Sequence, residues 1–179
     1  MKKRLSRYAA LAMSAAMLIP TLTGLADACT RTLFVGDGNM VATGRNMDWR
    51  EDMFSNLWAF PAGIERNGES GPQSLKWTAK YGSVITSGYE AGSTDGMNEK
   101  GLVANILYLA ESQYPKPVEV RPFLSISLWA QYVLDNFATV DEAVEHLRTE
   151  PFNLLAPELP NGSPAALHLA ISDSTGDSA

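Results

Sequence analysis

Cys29-Thr30-Arg31-Thr32-Leu33-Phe34-Val35 is followed by Gly36-Asp37-Gly38-Asn39 and then by Met40-Val41-Ala42-Thr43-Gly44-Arg45-Asn46-Met47. Two extended runs flank a tetrapeptide of turn-forming residues, so the stretch predicts an antiparallel β-hairpin that begins at the chain's only cysteine. Upstream of it, Lys2, Lys3, Arg4 and Arg7 make a basic start, an apolar run follows from Tyr8 to about Leu22, and Ala26-Asp27-Ala28 has the small-x-small pattern of a cleavage site. Residues 1–28 therefore read as a secretory signal peptide, and the protein as exported, to the periplasm or beyond. As a membrane span the run is too short, since crossing needs about 20 apolar residues, and Ser14, Pro20, Thr21 and Thr23 interrupt it. No stable membrane association is expected after cleavage.

Cleavage after Ala28 makes Cys29 the first residue of the mature chain. Three readings follow. A bacterial lipoprotein also starts on a cysteine, but normally carries Leu three positions before it, where Ala26 stands here. A second reading is a cysteine that merely lies near a cleavage site. The third is catalytic: a terminal cysteine joins a thiol to an α-amino group with a pKa of about 7.7, so nucleophile and general base come on one residue.

Composition narrows the classes. The 179 residues are 45% hydrophobic and 19% charged, as in an ordinary globular domain. Fourteen basic and 20 acidic residues give a net charge of −6, and removal of residues 1–28 takes away four basic and one acidic residue, leaving −9. An acidic chain is a poor nucleic-acid surface. One Cys and two His are too few soft ligands for a structural zinc site, and His146 and His168 lack the spacing of a metal pair.

Downstream, extended runs at about 56–60, 75–79 and 83–87 are separated by Gly, Pro and Asn breakers. Thr94 to Gly101 is polar and reads as a turn, and Leu102 to Leu109 is an apolar run such as a strand covered on both faces would show. The period then changes. Pro122 suits a first helical position, and Phe123, Ile126, Ala130, Val133, Leu134 and Phe137 recur at helical spacing, predicting a helix to about Asn136. Thr139-Val140-Asp141-Glu142 predicts a capping box for a second helix. Residues 152–164 read as loop, 165–172 as strand and 173–177 as a tight turn that calls for a further strand. Strands, helices and strands again give an α+β chain with no linker and no internal repeat.

Cys29-Thr30-Arg31, Arg45-Asn46-Met47-Asp48-Trp49, Ser74-Leu75-Lys76-Trp77 with Lys80-Tyr81-Gly82, and Asp95-Gly96-Met97-Asn98-Glu99-Lys100-Gly101-Leu102 resemble, in order, motifs of the choloylglycine hydrolase family. Its members are N-terminal nucleophile amidases, including penicillin V acylases and bile salt hydrolases, and the chain looks most like the penicillin V acylases of Gram-negative bacteria, where Trp follows the aspartate as Trp49 does. The resemblance runs from Cys29 to Ala179. It implies an αββα four-layer sandwich, here truncated, because complete members run to about twice this length. It also implies a homo-oligomer, tetrameric in the family, a small acyl amide as substrate and no cofactor.

For chemistry, the resemblance implies Cys29 as nucleophile, Arg45 as the guanidinium that favours its thiolate, and Asp48 as the carboxylate that holds the α-amino group. In a regular strand Arg45 and Asp48 would point to opposite faces, so a strand end or bulge near Asn46 is required. Trp49 and Tyr108 are the candidates for the acyl pocket, since an acyl or phenoxyacetyl group is recognised by burying apolar area. Tyr108 leans toward acylase, because many bile salt hydrolases carry Asn at the matching position. Trp58, Trp77 and Trp129 are assigned to the core. Linear amide hydrolysis of penicillin V or N-acyl homoserine lactones is the resulting expectation, with conjugated bile salts as the alternative. From other classes, a lipid-anchored or degenerate binding protein stays open. An oxyanion Asn and a second Arg, supplied by the later half of complete members, lie outside the chain, so this segment alone is expected to be inactive.

Overall fold

The structure, a computed structural model, describes residues 29–179, and the proposed signal peptide lies outside the described residues. In chain order the elements are β1 (Thr30–Val35), β2 (Val41–Asn46), β3 (Leu57–Phe60), β4 (Glu65–Asn67), β5 (Lys76–Thr78), β6 (Ser83–Gly88), β7 (Gly92–Asn98), β8 (Val103–Tyr108), β9 (Phe123–Ser125), α1 (Trp129–Asn136), α2 (Val140–Leu147), β10 (Asn153–Leu155) and β11 (Leu167–Ser172). The predicted hairpin is present: β1 and β2 pair antiparallel, with Arg31 opposite Arg45 and Phe34 opposite Ala42. Its turn contains a short 3-10 segment in which Gly38 adopts a positive φ of 69°.

The centre is a five-stranded sheet of order β11-β8-β7-β6-β3 in which every neighbour is antiparallel. Helices α1 and α2 cover one face, where Ile85, Leu102, Ala104, Val133, Leu134 and Ala143 form the core. Gly96 lets α1 come close, since a Cβ there would meet Leu134 Cδ1 at 2.7 Å and Ile85 Cγ2 at 2.6 Å. The hairpin lies against the opposite face: Arg31 Nε donates to Asn105 Oδ1 at 2.8 Å, and the hydroxyls of Thr43 and Ser172 lie 2.7 Å apart. Strand β8 is thus covered on both sides, as its apolar run implies. Helices, sheet and hairpin make three layers; the second helical layer of an αββα sandwich is not among the described residues.

Local readings fail where tertiary bonds take over the backbone. The helix expected from Pro122 begins only with a 3-10 turn at Ile126–Leu128, because Phe123–Ser125 is strand β9, paired parallel with β10 and bonded through Phe123 N to Gln73 O. Most of the polar run 94–101 is strand β7, since β6 and β8 supply partners on both sides, and the turn shrinks to residues 98–101, closed by Gly101 at φ 83°. Strands β4 and β10 lie in segments read as breaker and loop. Trp58 is 46% exposed on the edge strand β3, not in the core, whereas Trp77 and Trp129 pack against it. At α2 the capping expectation holds: Thr139 Oγ1 accepts from Glu142 N at 3.2 Å, and Glu142 Oε2 accepts from Ala138 N at 2.8 Å.

Candidate active site

The alternation of a strand puts Cys29 and Arg31 on one face of β1, and Arg45 and Met47 on the matching face of β2 and its extension. Strand β2 ends at Asn46, where Arg45 and Asp48 called for a break, but half-buried and exposed positions go on alternating to residue 50 and Asp48 stays exposed. Past that end the chain leaves the ladder and Trp49 turns onto Tyr108, with ring centroids 5.2 Å apart and planes tilted by 59°.

Cys29, Trp49 and Tyr108 line one cavity of about 260 Å³. Met47, Met53, Ile106 and Leu159 add apolar wall, and Ser93, Thr94, Ser125 and Ser127 add hydroxyls. This is a small, largely apolar recess with a half-buried cysteine in its wall, the form of a small-molecule site.

Arg45 does not line the cavity but is held at its wall. One of its terminal nitrogens donates to the carbonyl of Ile106, and its Nε lies 2.9 Å from Asp95 Oδ1. Asp95 also accepts from Asn105 Nδ2 at 2.8 Å. Burial pushes the Asp95 carboxyl up from its ordinary range, against the pull of Asn105, Arg45 and Thr94. Asp48 is exposed and outside the cavity lining, so three of the five expected site residues, Cys29, Trp49 and Tyr108, share the cavity, Arg45 touches its lining through Ile106, and Asp48 stays at the surface.

The chain also matches known proteins. A family model described as linear amide C–N hydrolases, choloylglycine hydrolase family, matches residues 29–179. The chain belongs to the choloylglycine hydrolase family. It is 52% identical over 162 residues to penicillin V acylase of Pectobacterium atrosepticum, covering 85% of this chain and 43% of that one. It superposes on the structure of penicillin V acylase from Agrobacterium tumefaciens with a TM-score of 0.76 at 55% identity, over 83% of this chain and 44% of the other. A cysteine-to-alanine mutant of conjugated bile acid hydrolase from Clostridium perfringens matches with a TM-score of 0.69 at 25% identity, over 84% and 46%. The chain thus spans less than half the length of these relatives.

Two features around this cavity are absent from the sequence reading. Trp49 Nε1 donates to Tyr89 Oη at 2.6 Å, and Tyr89 in turn donates to Glu51, so the indole is oriented by a residue forty positions away. Burial and the Glu51 bond push the Tyr89 hydroxyl upward. The second is Asp95, quoted within a motif yet given no role. The facing arginines Arg31 and Arg45 were the available signal, because two inward cations on paired strands demand a counter-charge.

Proposed function

We propose that the full-length protein carrying this segment is an exported acylase that hydrolyses linear amide C–N bonds of penicillin V or N-acyl homoserine lactone type. The observation that carries the reading is the placement of Cys29, Trp49 and Tyr108 on one apolar cavity, with Arg45 anchored to the Ile106 carbonyl in its wall. An aromatic Tyr108 against Trp49 favours a flat or extended acyl group over a bile acid.

In this reading, cleavage after Ala28 frees the α-amino group of Cys29. The amine takes the thiol proton, and the sulfur attacks the amide carbonyl carbon. The C–N bond then breaks as the ammonium returns the proton to the leaving nitrogen, which leaves a thioester. Water, deprotonated by the same amine, releases the acid and regenerates the thiol. The Arg45 guanidinium favours thiolate over thiol. The oxyanion donor and a second arginine come from the remainder of the longer protein, and the assembly is a homo-oligomer.

The test is penicillin V hydrolysis by the purified full-length protein together with the intact mass of its mature form. A free Cys29 start, activity, and loss of that activity in Cys29→Ala with an unchanged melting temperature are the expected results. A diacylated Cys29, or a terminus elsewhere, would remove the base and turn the reading to a tethered binding protein.

A further inference from the structure

Arg31 and Arg45 are direct register partners across the hairpin, both on the face turned toward the sheet. Like charges placed opposite each other repel, and burying them adds the loss of hydration. The sheet answers with a second register pair: Asp95 on β7 faces Asn105 on β8, directly beneath the two arginines. Asn105 Oδ1 accepts from Arg31 Nε at 2.8 Å, Asn105 Nδ2 donates to Asp95 Oδ1 at 2.8 Å, and that same oxygen lies 2.9 Å from Arg45 Nε. One carboxylate therefore serves two guanidiniums, Arg45 directly and Arg31 through the Asn105 amide.

The arrangement is not symmetrical. Arg31 reaches a second partner at the molecular surface, Ser178 Oγ at 3.1 Å, whereas Arg45 is turned inward, its side chain 10% exposed, with the Ile106 carbonyl as its other contact. Among the described residues Arg45 Nη1 and Arg31 Nη2 are buried without a hydrogen-bond partner, and Arg45 Nε meets Asp95 as an ion pair only. Asp95 does not itself line the cavity, although its neighbours Thr94 on β7 and Ile106 on β8 do. Any influence on the reacting atoms must pass through Arg45.

We propose that Asp95 is the positioning residue of this site: its carboxylate, oriented by Asn105, holds the Arg45 guanidinium against the cavity wall where it acts on the Cys29 thiol. The role rests on the amidase reading above. It assigns the Asp95-Gly96 start of the fourth motif to the chemistry of Cys29, and leaves Asn98, which donates to the Leu134 and Phe137 carbonyls, to the fold.

A double-mutant cycle in the full-length protein tests this, read by two assays: hydrolysis of penicillin V, and the pH dependence of Cys29 alkylation by iodoacetamide, which needs no substrate. Asp95→Asn should lower kcat and the alkylation rate about tenfold, mid-range for coupled neighbours, with KM changed less than about threefold. In an Arg45→Ala background the same substitution should change either rate less than about twofold. Asp95→Glu, which keeps the charge, should recover part of both, and it carries the cycle if Asp95→Asn does not fold. Equal losses in the two backgrounds, or no loss in either assay, would overturn the proposal. If the wild type hydrolyses no acyl amide while the alkylation cycle stays non-additive, the amidase reading falls and the positioning role stands.

Discussion

Trp49 is fixed by two contacts of different kinds, the tilted ring of Tyr108 and the hydroxyl of Tyr89. Tyr89 sits at a positive φ of 55° in the β6–β7 turn, a conformation that side chains seldom adopt and that places its hydroxyl between the indole and Glu51. Tyr89→Phe should therefore free the indole without emptying the turn. The two hydrogen bonds lost, to Trp49 and to Glu51, cost about 0.5–1.5 kcal/mol of stability each, while in the proposed reading KM for penicillin V should rise more than kcat falls, because the wall of the acyl pocket moves and the nucleophile does not. Steady-state kinetics check it, and a change confined to kcat would argue against the wall role. At this scale the meeting of Cys29, Trp49 and Tyr108 on one cavity was legible, since Cys29 and Trp49 stand in short motifs at neighbouring strand ends and Tyr108 closes the apolar run that follows a further motif. Tyr89 and Asp95 were not, because their partners are set by strand register and turn conformation, which no local pattern displays.

Among the elements, α1 is held by a buried carboxylate. Asp135, with no exposed surface, accepts from Trp77 Nε1 at 2.8 Å, from Gln131 Nε2 at 2.7 Å and from Arg66 Nε at 3.1 Å, tying the helix to the β4–β5 ribbon. Asp135→Ala leaves a half-hidden guanidinium and two N–H groups unpaired, and should cost about 3–5 kcal/mol in urea denaturation. Helix α2 depends on another carboxylate: Asp173 Oδ2 accepts from Val140 N at 2.8 Å. Burial alone would push the Asp173 carboxyl up, but bonds from the Thr175 hydroxyl and the backbone amides of Val140, Thr175 and Asp177 outweigh it and hold the group below its ordinary value. A depressed folded pKa gives stability that is present above the unfolded value near 3.9 and lost as pH falls through the folded one. The denaturation midpoint should thus drop below about pH 4, and drop less in Asp173→Asn. Neither hub was visible in sequence. Hairpin, central strand and helix cap were, because turn chemistry, an unbroken apolar run and a Thr-x-x-Glu spacing act locally. The misread helix start and the missed strands β4 and β10 are short segments whose partners lie far along the chain.

On the whole molecule, the hairpin covers Asp95, Asn105 and Ser172 but leaves the β3–β6–β7 side of the same sheet face open. Val84 and Met97 are register partners there and are 46% and 55% exposed, and Leu57, opposite Thr86, is 75% exposed. An adjoining set of large apolar side chains on one sheet face is a surface that a stable fold covers. The matched relatives are more than twice as long as the matched region, so the remainder of such a chain has both the length and the reason to pack there. A polypeptide of residues 29–179 alone should then bind a hydrophobic dye such as ANS and melt without a sharp transition. It should also hydrolyse penicillin V at least about a hundredfold more slowly than the full-length protein, since one missing oxyanion donor alone removes that much. In the proposed reading the nucleophile Cys29 and the Arg45 guanidinium are both inside the segment, so alkylation of Cys29 should survive where turnover does not. A cooperative melt with full turnover from the segment would show instead that the open face needs no cover and that the oxyanion is stabilised from within residues 29–179.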